Sequence, residues 1–379
     1  MAQPSPRENR KPPTPPARAA PRGLPSLDQL HTLLEEAIAI PGVSAHEDQI
    51  RLWLQSSLPT GTTCEVDALG NLSCVLGPKG PEIVFLAHMD ELGLLLSAIH
   101  PDGSASFRLV GRLDERLLHG RAYFVHTAQG PVPAVVGVIP PHLWSGVAPA
   151  LPTVEQMRLD FGTSSAAETT ALGVRVLQPV TPVKDYIVLN EHRAAARGLD
   201  DRAGCVALLL LLHLLRRARR LPLRVRLLWS VQEEIGLRGA SGAAAHLARS
   251  AEGIAMVVPV DTFSTPSMVH EVGNLLPLEL GGGPVVRAAD SSSLADPRLV
   301  QWVQALARRK KIPLRVGVTG GGNDGVPFQS SGAPLLPISI PFRYTHSNVE
   351  CIDLRDLLQQ VRLLYAIASD AAQAPVRPS

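Results

Sequence analysis

Five clusters of His, Asp and Glu break otherwise apolar stretches of this chain, and most fall where a strand-like run ends. In open α/β sheets that carboxyl edge is where ligands bind, so position adds to residue type. His88-Met89-Asp90-Glu91-Leu92-Gly93 follows the run ending at Ala87. His88 and Asp90 are two apart and can point to one side. A neutral imidazole suits a borderline metal, and a carboxylate two residues on can accept its other ring N–H and fix the tautomer. Gly198-Leu199-Asp200-Asp201-Arg202 precedes a Leu-rich stretch. Its adjacent carboxylates either cap a helix or accept divalent cations that relieve their repulsion, with Asp200 bridging two of them and Asp201 orienting a neighbour. In Gln232-Glu233-Glu234 neighbouring side chains at a strand end diverge, so one can bind metal and the other act as general base on a bound water. Asp261 closes the apolar run that starts at Ile254, and His346 lies in Phe342-Arg343-Tyr344-Thr345-His346-Ser347-Asn348-Val349-Glu350. Singly, each has an ordinary explanation as a solvated turn, a surface pair, a cap or a satisfied structural histidine.

Together the clusters supply two His and four or five carboxylates, all expected at one edge of one sheet. Two divalent cations about 3.5–4 Å apart need that inventory: a bridging carboxylate, one His and one carboxylate each, and open positions for water. A closed structural zinc site favours Cys, so an open nitrogen-and-oxygen set points to catalysis.

The elements that must hold these groups read as α/β. Ser26 is a plausible N-cap for an amphipathic helix over 27–40, and a second helix is expected near 47–58. Short strands are expected at 63–68 and 71–76, and Glu82-Ile-Val-Phe-Leu-Ala87 is a buried strand. Residues 94–187 change texture: short strand-like segments separated by Gly, Pro and Asp turns predict a small all-β module between two halves of an α/β domain. The α/β pattern returns with helices over 202–220, 241–249, 296–310 and 354–371, and strands over 222–231, 254–260, 313–318 and 335–340. The expected division is a Pro/Arg-rich disordered leader (1–25), a catalytic domain (26–93 and 188–372), the β insert (94–187) and a flexible tail (373–379).

Composition narrows the function classes. In 379 residues, 36 Lys and Arg face 34 Asp and Glu, and residues 1–25 alone carry a net +4, leaving the remaining chain slightly acidic. A nucleic-acid binder needs a basic stripe on its folded part, and none shows. The four cysteines (Cys64, Cys74, Cys205, Cys351) form no CxxC pair, which argues against a disulfide scaffold or thiolate zinc knuckle and fits a reducing compartment. The leader holds eight prolines by Pro25 and no apolar core of a secretion signal. The longest apolar run, Ala203 to Leu215, contains His213 and falls short of the roughly 20 residues that cross a bilayer. The expectation is a soluble cytoplasmic protein with neither nucleic-acid nor membrane partners.

The ordered string His88-x-Asp90-Glu91-Leu92-Gly93, Leu199-Asp200-Asp201-Arg202-x-Gly204, Gln232-Glu233-Glu234-x-Gly236, Val260-Asp261 and Arg343-Tyr344-Thr345-His346-Ser347-x-x-Glu350 resembles the M42 metalloaminopeptidases, the tetrahedral (TET) and glutamyl aminopeptidase group. Gly321-Gly322-Asn323-Asp324 resembles the family's late Gly-Gly-x-Asp element, with Asn323 where the family more often has Thr. The resemblance implies a mixed-sheet α/β di-metal aminopeptidase domain and makes residues 94–187 a PDZ-like dimerisation insert. It implies two divalent ions, zinc first with cobalt or manganese as options. His88 and Asp261 would serve one, Glu234 and His346 the other, and Asp200 would bridge them through a cis Asp200–Asp201 peptide. It makes Glu233 the general base and Asp90 the support of His88. It further implies short peptide substrates and dimers assembling into a dodecamer. Arg343 is a candidate cation for an acidic first side chain. Competing readings are a related di-metal deacylase or carboxypeptidase, an endoglucanase-type glycoside hydrolase working with two carboxylates alone, and a non-catalytic scaffold. The low aromatic content of 4% disfavours sugar stacking.

Overall fold

The computed structural model describes residues 23–144, 146, 150–250, 252–265 and 278–375. Most of the expected leader, residues 1–22, and the end of the tail, 376–379, lie outside the described residues.

An eight-stranded mixed sheet forms the centre, in the spatial order Cys64–Val66, Leu72–Leu76, Arg224–Ser230, Glu82–His88, Ile254–Ser264, Ile338–Phe342, Val285–Ala289 and Arg315–Val318. The four strands from Arg224–Ser230 to Ile338–Phe342 run parallel, so their C-terminal ends share one edge. In register, Ser230 pairs with His88 and Asp261 with Ser339. Glu82–His88 is buried from end to end, as an inner parallel strand covered on both faces must be.

Helix Leu199–Leu215 packs on this sheet and is apolar nearly all round, the pattern of a helix buried on every side. It is enclosed by Leu27–Ala39 and Leu354–Asp370, whose apolar stripes complete the main core. Sequence placed this helix over 202–220; it stops at Leu215, before Arg216-Arg217, and regular helical backbone begins only after Asp201. Asp201 Oδ1 accepts the Gly204 N–H at 2.9 Å, so one of the paired acids does cap the helix. Ser26 caps the first helix through a reciprocal bond with Gln29, as expected.

Residues 93–182 contribute an antiparallel five-stranded sheet, ordered Ala105–Val110, Gly93–Ile99, Pro179–Pro182, Arg121–Thr127 and Gly130–Val136, with its own apolar cluster around Leu94, Phe107, Tyr123 and Val125. The only α-helix among its described residues is Ala166–Ala171. A three-stranded sheet, Glu350–Asp353, Arg193–Ala196 and Ile187–Asn190, was not expected, nor was the strand Val285–Ala289. Among the described residues no helix is long and apolar enough to cross a membrane.

The five-stranded sheet carries a pH response. His126 bonds Thr181 Oγ1 through Nε2 at 2.9 Å, and burial pushes its imidazole down to about 4. The unfolded ring takes a proton near pH 6.5 and the folded ring resists until about 4. Stability from this group is therefore complete above about 6.5 and falls as pH drops toward 4. Between pH 7 and pH 5 the loss should be about 2 kcal/mol. Urea unfolding of His126→Gln, which can still bond Thr181, should show a correspondingly smaller loss; parallel curves for the two proteins would contradict this.

Candidate metal centre

Helix and strand ends bring the predicted residues together. His88 ends its strand, Glu233 and Glu234 follow Ser230, Asp261 lies in Ile254–Ser264, His346 follows Phe342, and Asp200 enters from the kinked start of the long helix. His88 Nδ1 sits 3.1 Å from the Asp90 backbone carbonyl. A carbonyl only accepts, so in the neutral ring Nδ1 carries the hydrogen and the Nε2 lone pair faces Asp200 Oδ1 at 3.4 Å. Across the same carboxylate, His346 Nε2 stands 3.7 Å from Asp200 Oδ2 and 3.6 Å from Glu234 Oε2.

These gaps are too long for good hydrogen bonds. They match the edge of a tetrahedron of ligands at about 2.0–2.1 Å from a central ion, an edge of roughly 3.3–3.4 Å. Asp200, Glu234 and His346 offer ligand atoms within 4.8 Å of one another, as do His88, Asp201 and Asp261, and His88, Glu233 and Glu234. Asp200 Oδ1 and Asp201 Oδ2 are buried without a hydrogen-bond partner. The donor set, all imidazole and carboxylate, suits zinc, cobalt or manganese.

Charge supports the same fit. Burial first, then neighbouring acids against the pull of His88, pushes Glu233 and Glu234 well above the carboxylate range. Burial and Asp200 lift Asp261 to about 6 despite Arg287, and burial and Asp200 lift Glu350 to about 8 against Arg197. Burial also lifts Asp324 to about 7. Asp200 goes the other way: burial alone would raise it, but the His88 ring beside it holds it below the usual range. Carboxyls crowded and buried in this way hold protons in the cation-free protein, and those protons are what a bound cation would displace.

Asp90 does more than sit beside His88. Its Oδ1 is 3.4 Å from His88 Nδ1, while its carboxylate accepts Ser44 Oγ at 2.6 Å, Glu233 N–H at 2.9 Å and Glu234 N–H at 3.2 Å. The two preceding amides are also gripped: Gln232 N–H donates to Glu47 Oε1 and Val231 N–H to Asn71 Oδ1, both at 3.0 Å. Four consecutive N–H groups thus bind side-chain oxygens from three separate segments, holding Gln232 at a positive φ of 58°. Asn71 also donates to the Gly239 carbonyl at 2.9 Å, tying both ends of the loop, and a Cβ on Gly239 would collide with it. Glu350 accepts the Asp200 N–H at 3.3 Å and the His346 N–H at 3.1 Å. Buried Arg287 lies 3.4 Å from Asp261 and donates to the Gly320 and Gly322 carbonyls. Buried Asp324 accepts a bond from Ser230 Oγ. Glu47, Asn71, Ser44 and Arg287 went unnoticed in the sequence. The one available signal was the Asp67-Ala68-Leu69-Gly70-Asn71 turn. The side chain of Arg343, the candidate substrate cation, buries an unpartnered Nε.

The family model of the M42 glutamyl aminopeptidases matches residues 70–363. A lysyl aminopeptidase of Pyrococcus furiosus is 31% identical over 346 residues, covering 89% of this chain and 96% of the relative. A glutamyl aminopeptidase of Lactococcus lactis is 28% identical over 339 residues, covering 86% and 92%. Among solved structures, the TET1 peptidase of Pyrococcus horikoshii, described as assembling into a tetrahedron or a large octahedral shell, superposes with a TM-score of 0.83 at 36% identity, over 90% of this chain and 99% of that one.

Proposed function

The chain belongs to the M42 glutamyl aminopeptidase family and is a metal-dependent aminopeptidase; from that premise we propose that it removes N-terminal residues from short peptides, with Glu233 as general base. The observation that carries this reading is the spacing of His88, Asp200, His346 and Glu234, 3.4–3.7 Å between successive ligand atoms around one shared carboxylate. In the proposed assignment His88 and Asp261 would hold one ion and Glu234 and His346 the other, with Asp200 shared between them. The ions, zinc in this reading, supply Lewis acidity and lower the pKa of bound water. Glu233 accepts the proton of the attacking water and delivers it to the departing amine. Asp90 holds the Glu233 and Glu234 amides so that the base keeps its aim. Carboxylates around the site attract the free α-ammonium group of the substrate, which restricts cleavage to the first residue.

Acetylating the N-terminus of a good peptide substrate should therefore lower kcat/KM by at least about 100-fold, the loss of one charge-assisted contact in a desolvated site. Mass spectrometry of the products checks this. Unchanged hydrolysis of the blocked peptide would favour a di-metal deacylase or carboxypeptidase.

The protein is further proposed to be a cytoplasmic homo-oligomer, with the 94–187 segment as a PDZ-like dimerisation module and dimers building a dodecamer. Exposed Val138, Ile139, Leu143, Leu151 and Leu177 on that segment support the reading. Light scattering should give a mass several-fold above the 40.5 kDa chain. A monomeric mass would remove the assembly proposal and leave the site untouched.

A further inference from the structure

The edge of the central sheet holds a pair of thiols that the catalytic reading does not use. Cys64 and Cys74 lie directly opposite each other on the antiparallel strands Cys64–Val66 and Leu72–Leu76. The Asp67 N–H bonds the Asn71 carbonyl at the turn, so hydrogen-bonded pairs fall at 67/71 and 65/73. By the strict alternation of antiparallel ladders, 64/74 is then a non-hydrogen-bonded pair. Such pairs bring Cα atoms to about 4.5 Å and side chains closest, inside the range a disulfide spans. The other two cysteines have no such mate: Cys205 is fully buried with its thiol donating to the His88 carbonyl, and Cys351 is buried in the small cluster with Ala195 and Leu280.

We propose that Cys64 and Cys74 are a two-electron redox site, oxidised by peroxide or by a low-molecular-weight disulfide to an intramolecular cross-strand disulfide. Half-buried Cys64 is the thiol an oxidant reaches; Cys74 is buried beneath it, with its thiol pushed up to about 12 by burial and by Cys64. With hydrogen peroxide, the Cys64 thiolate attacks one oxygen, the O–O bond breaks, and Cys64 becomes a sulfenic acid as hydroxide leaves and is protonated to water. The Cys74 sulfur, giving up its proton, then attacks the Cys64 sulfur; the S–S bond forms, the S–O bond breaks, and a second water departs. Two thiols lose two electrons and two protons, and one peroxide becomes two waters. The high pKa of Cys74 makes this second step the slow one, faster in alkali.

The placement matters because this hairpin presents Asn71. Its turn is fixed by Asp67, whose carboxylate accepts the Leu69, Gly70 and Asn71 amides and the Asn71 side chain. Asn71 in turn holds both ends of the loop bearing Glu233 and Glu234. Cys64–Val66 is an edge strand paired on one side only, so a covalent tie to its neighbour fastens the hairpin where the sheet is least secured.

The test uses the full-length, metal-loaded protein treated with a small excess of hydrogen peroxide, quenched, denatured and titrated for thiols. The four free thiols should fall to two, with a cross-linked peptide joining Cys64 to Cys74, and dithiothreitol should restore four. Cys64→Ser, which alters the more exposed member and leaves the core cysteine in place, should start with three thiols and keep three. The proposal is overturned if all four thiols persist, if Cys64 accumulates as a sulfinic acid without a cross-link, or if the bonds form between chains. It is independent of the peptidase assignment, since the thiol count makes no reference to turnover.

Discussion

Glu233→Gln is expected to lower kcat by about 10²–10⁴-fold, the usual contribution of a positioned general base, with bound metal and fold unchanged. Gln keeps the size and the hydrogen-bonding oxygen of the side chain but cannot accept the water's proton. The backbone grip on the loop comes from Asn71, Glu47 and Asp90 acting on main-chain amides, so the substitution leaves it intact. KM should change little, because the lost interaction develops in the transition state. Burial first, then Asp324, Asp261 and Asp90 working against His88, pushes the Glu233 carboxyl well up in the cation-free protein, the direction that makes a carboxylate a stronger base. Glu234 serves as the internal control. Its carboxylate stands 3.6 Å from His346 and is a ligand in the proposed assignment, so Glu234→Gln should lose metal together with activity. Turnover of Glu233→Gln within tenfold of the wild type, on aminoacyl chromogenic substrates with metal content measured in parallel, would remove Glu233 as the base.

The convergence of these residues on one sheet edge was legible in the sequence, and the reason lies in how the site is built. His88, Glu233 and Glu234 end or follow apolar parallel strands, so local pattern alone marks them as carboxyl-edge residues, whereas Asp261, expected to close its strand, lies within Ile254–Ser264. The groups that hold them are tied by long-range contacts with no local trace. Glu47 reaches Gln232 across 185 residues, Asn71 reaches Val231 across 160, and Glu350 reaches Asp200 across 150. A buried Glu at the head of a short helix looks, in sequence, like any helix-entry acid. Asp201 shows the converse. The sequence allows it either to cap the helix or to orient a neighbour beside a cation-binding Asp200, and the structure gives Oδ1 to the Gly204 amide while Oδ2 stays unpartnered near His88 and Asp261. The unforeseen strands have their own causes. Arg193–Ala196 is three alanines after an arginine, small side chains that carry no β signature, and Val285–Ala289 is a short strand whose apolar run is broken by the buried Arg287.

Asp200→Asn is expected to abolish tight binding of both cations and with it essentially all activity, the broadest loss available to a single side chain here. Asp200 stands close to both imidazoles, 3.4 Å from His88 and 3.7 Å from His346; an amide in its place offers one neutral oxygen where, in the proposed assignment, two ions would share a charge. Protons give the measurement its sign. In the cation-free protein Asp261, Asp324 and Glu350 are lifted to about 6, 7 and 8, above their unfolded values, so their contribution to stability is fully present only at low pH and is lost as pH rises through that range. Chelated wild-type protein should therefore become less stable from pH 5 to pH 8. Added cation should reverse that trend by displacing the bound protons, adding about 4 kcal/mol per site when present at 1,000 times its Kd. Titrating zinc into the chelated wild type in weak buffer should release more than one proton per chain, read with an indicator dye, and raise the melting temperature. Asp200→Asn should show neither response. Equal proton release and equal thermal gain in the variant would mean that the ions do not share this carboxylate, and the two-ion centre would have to be drawn around other ligands.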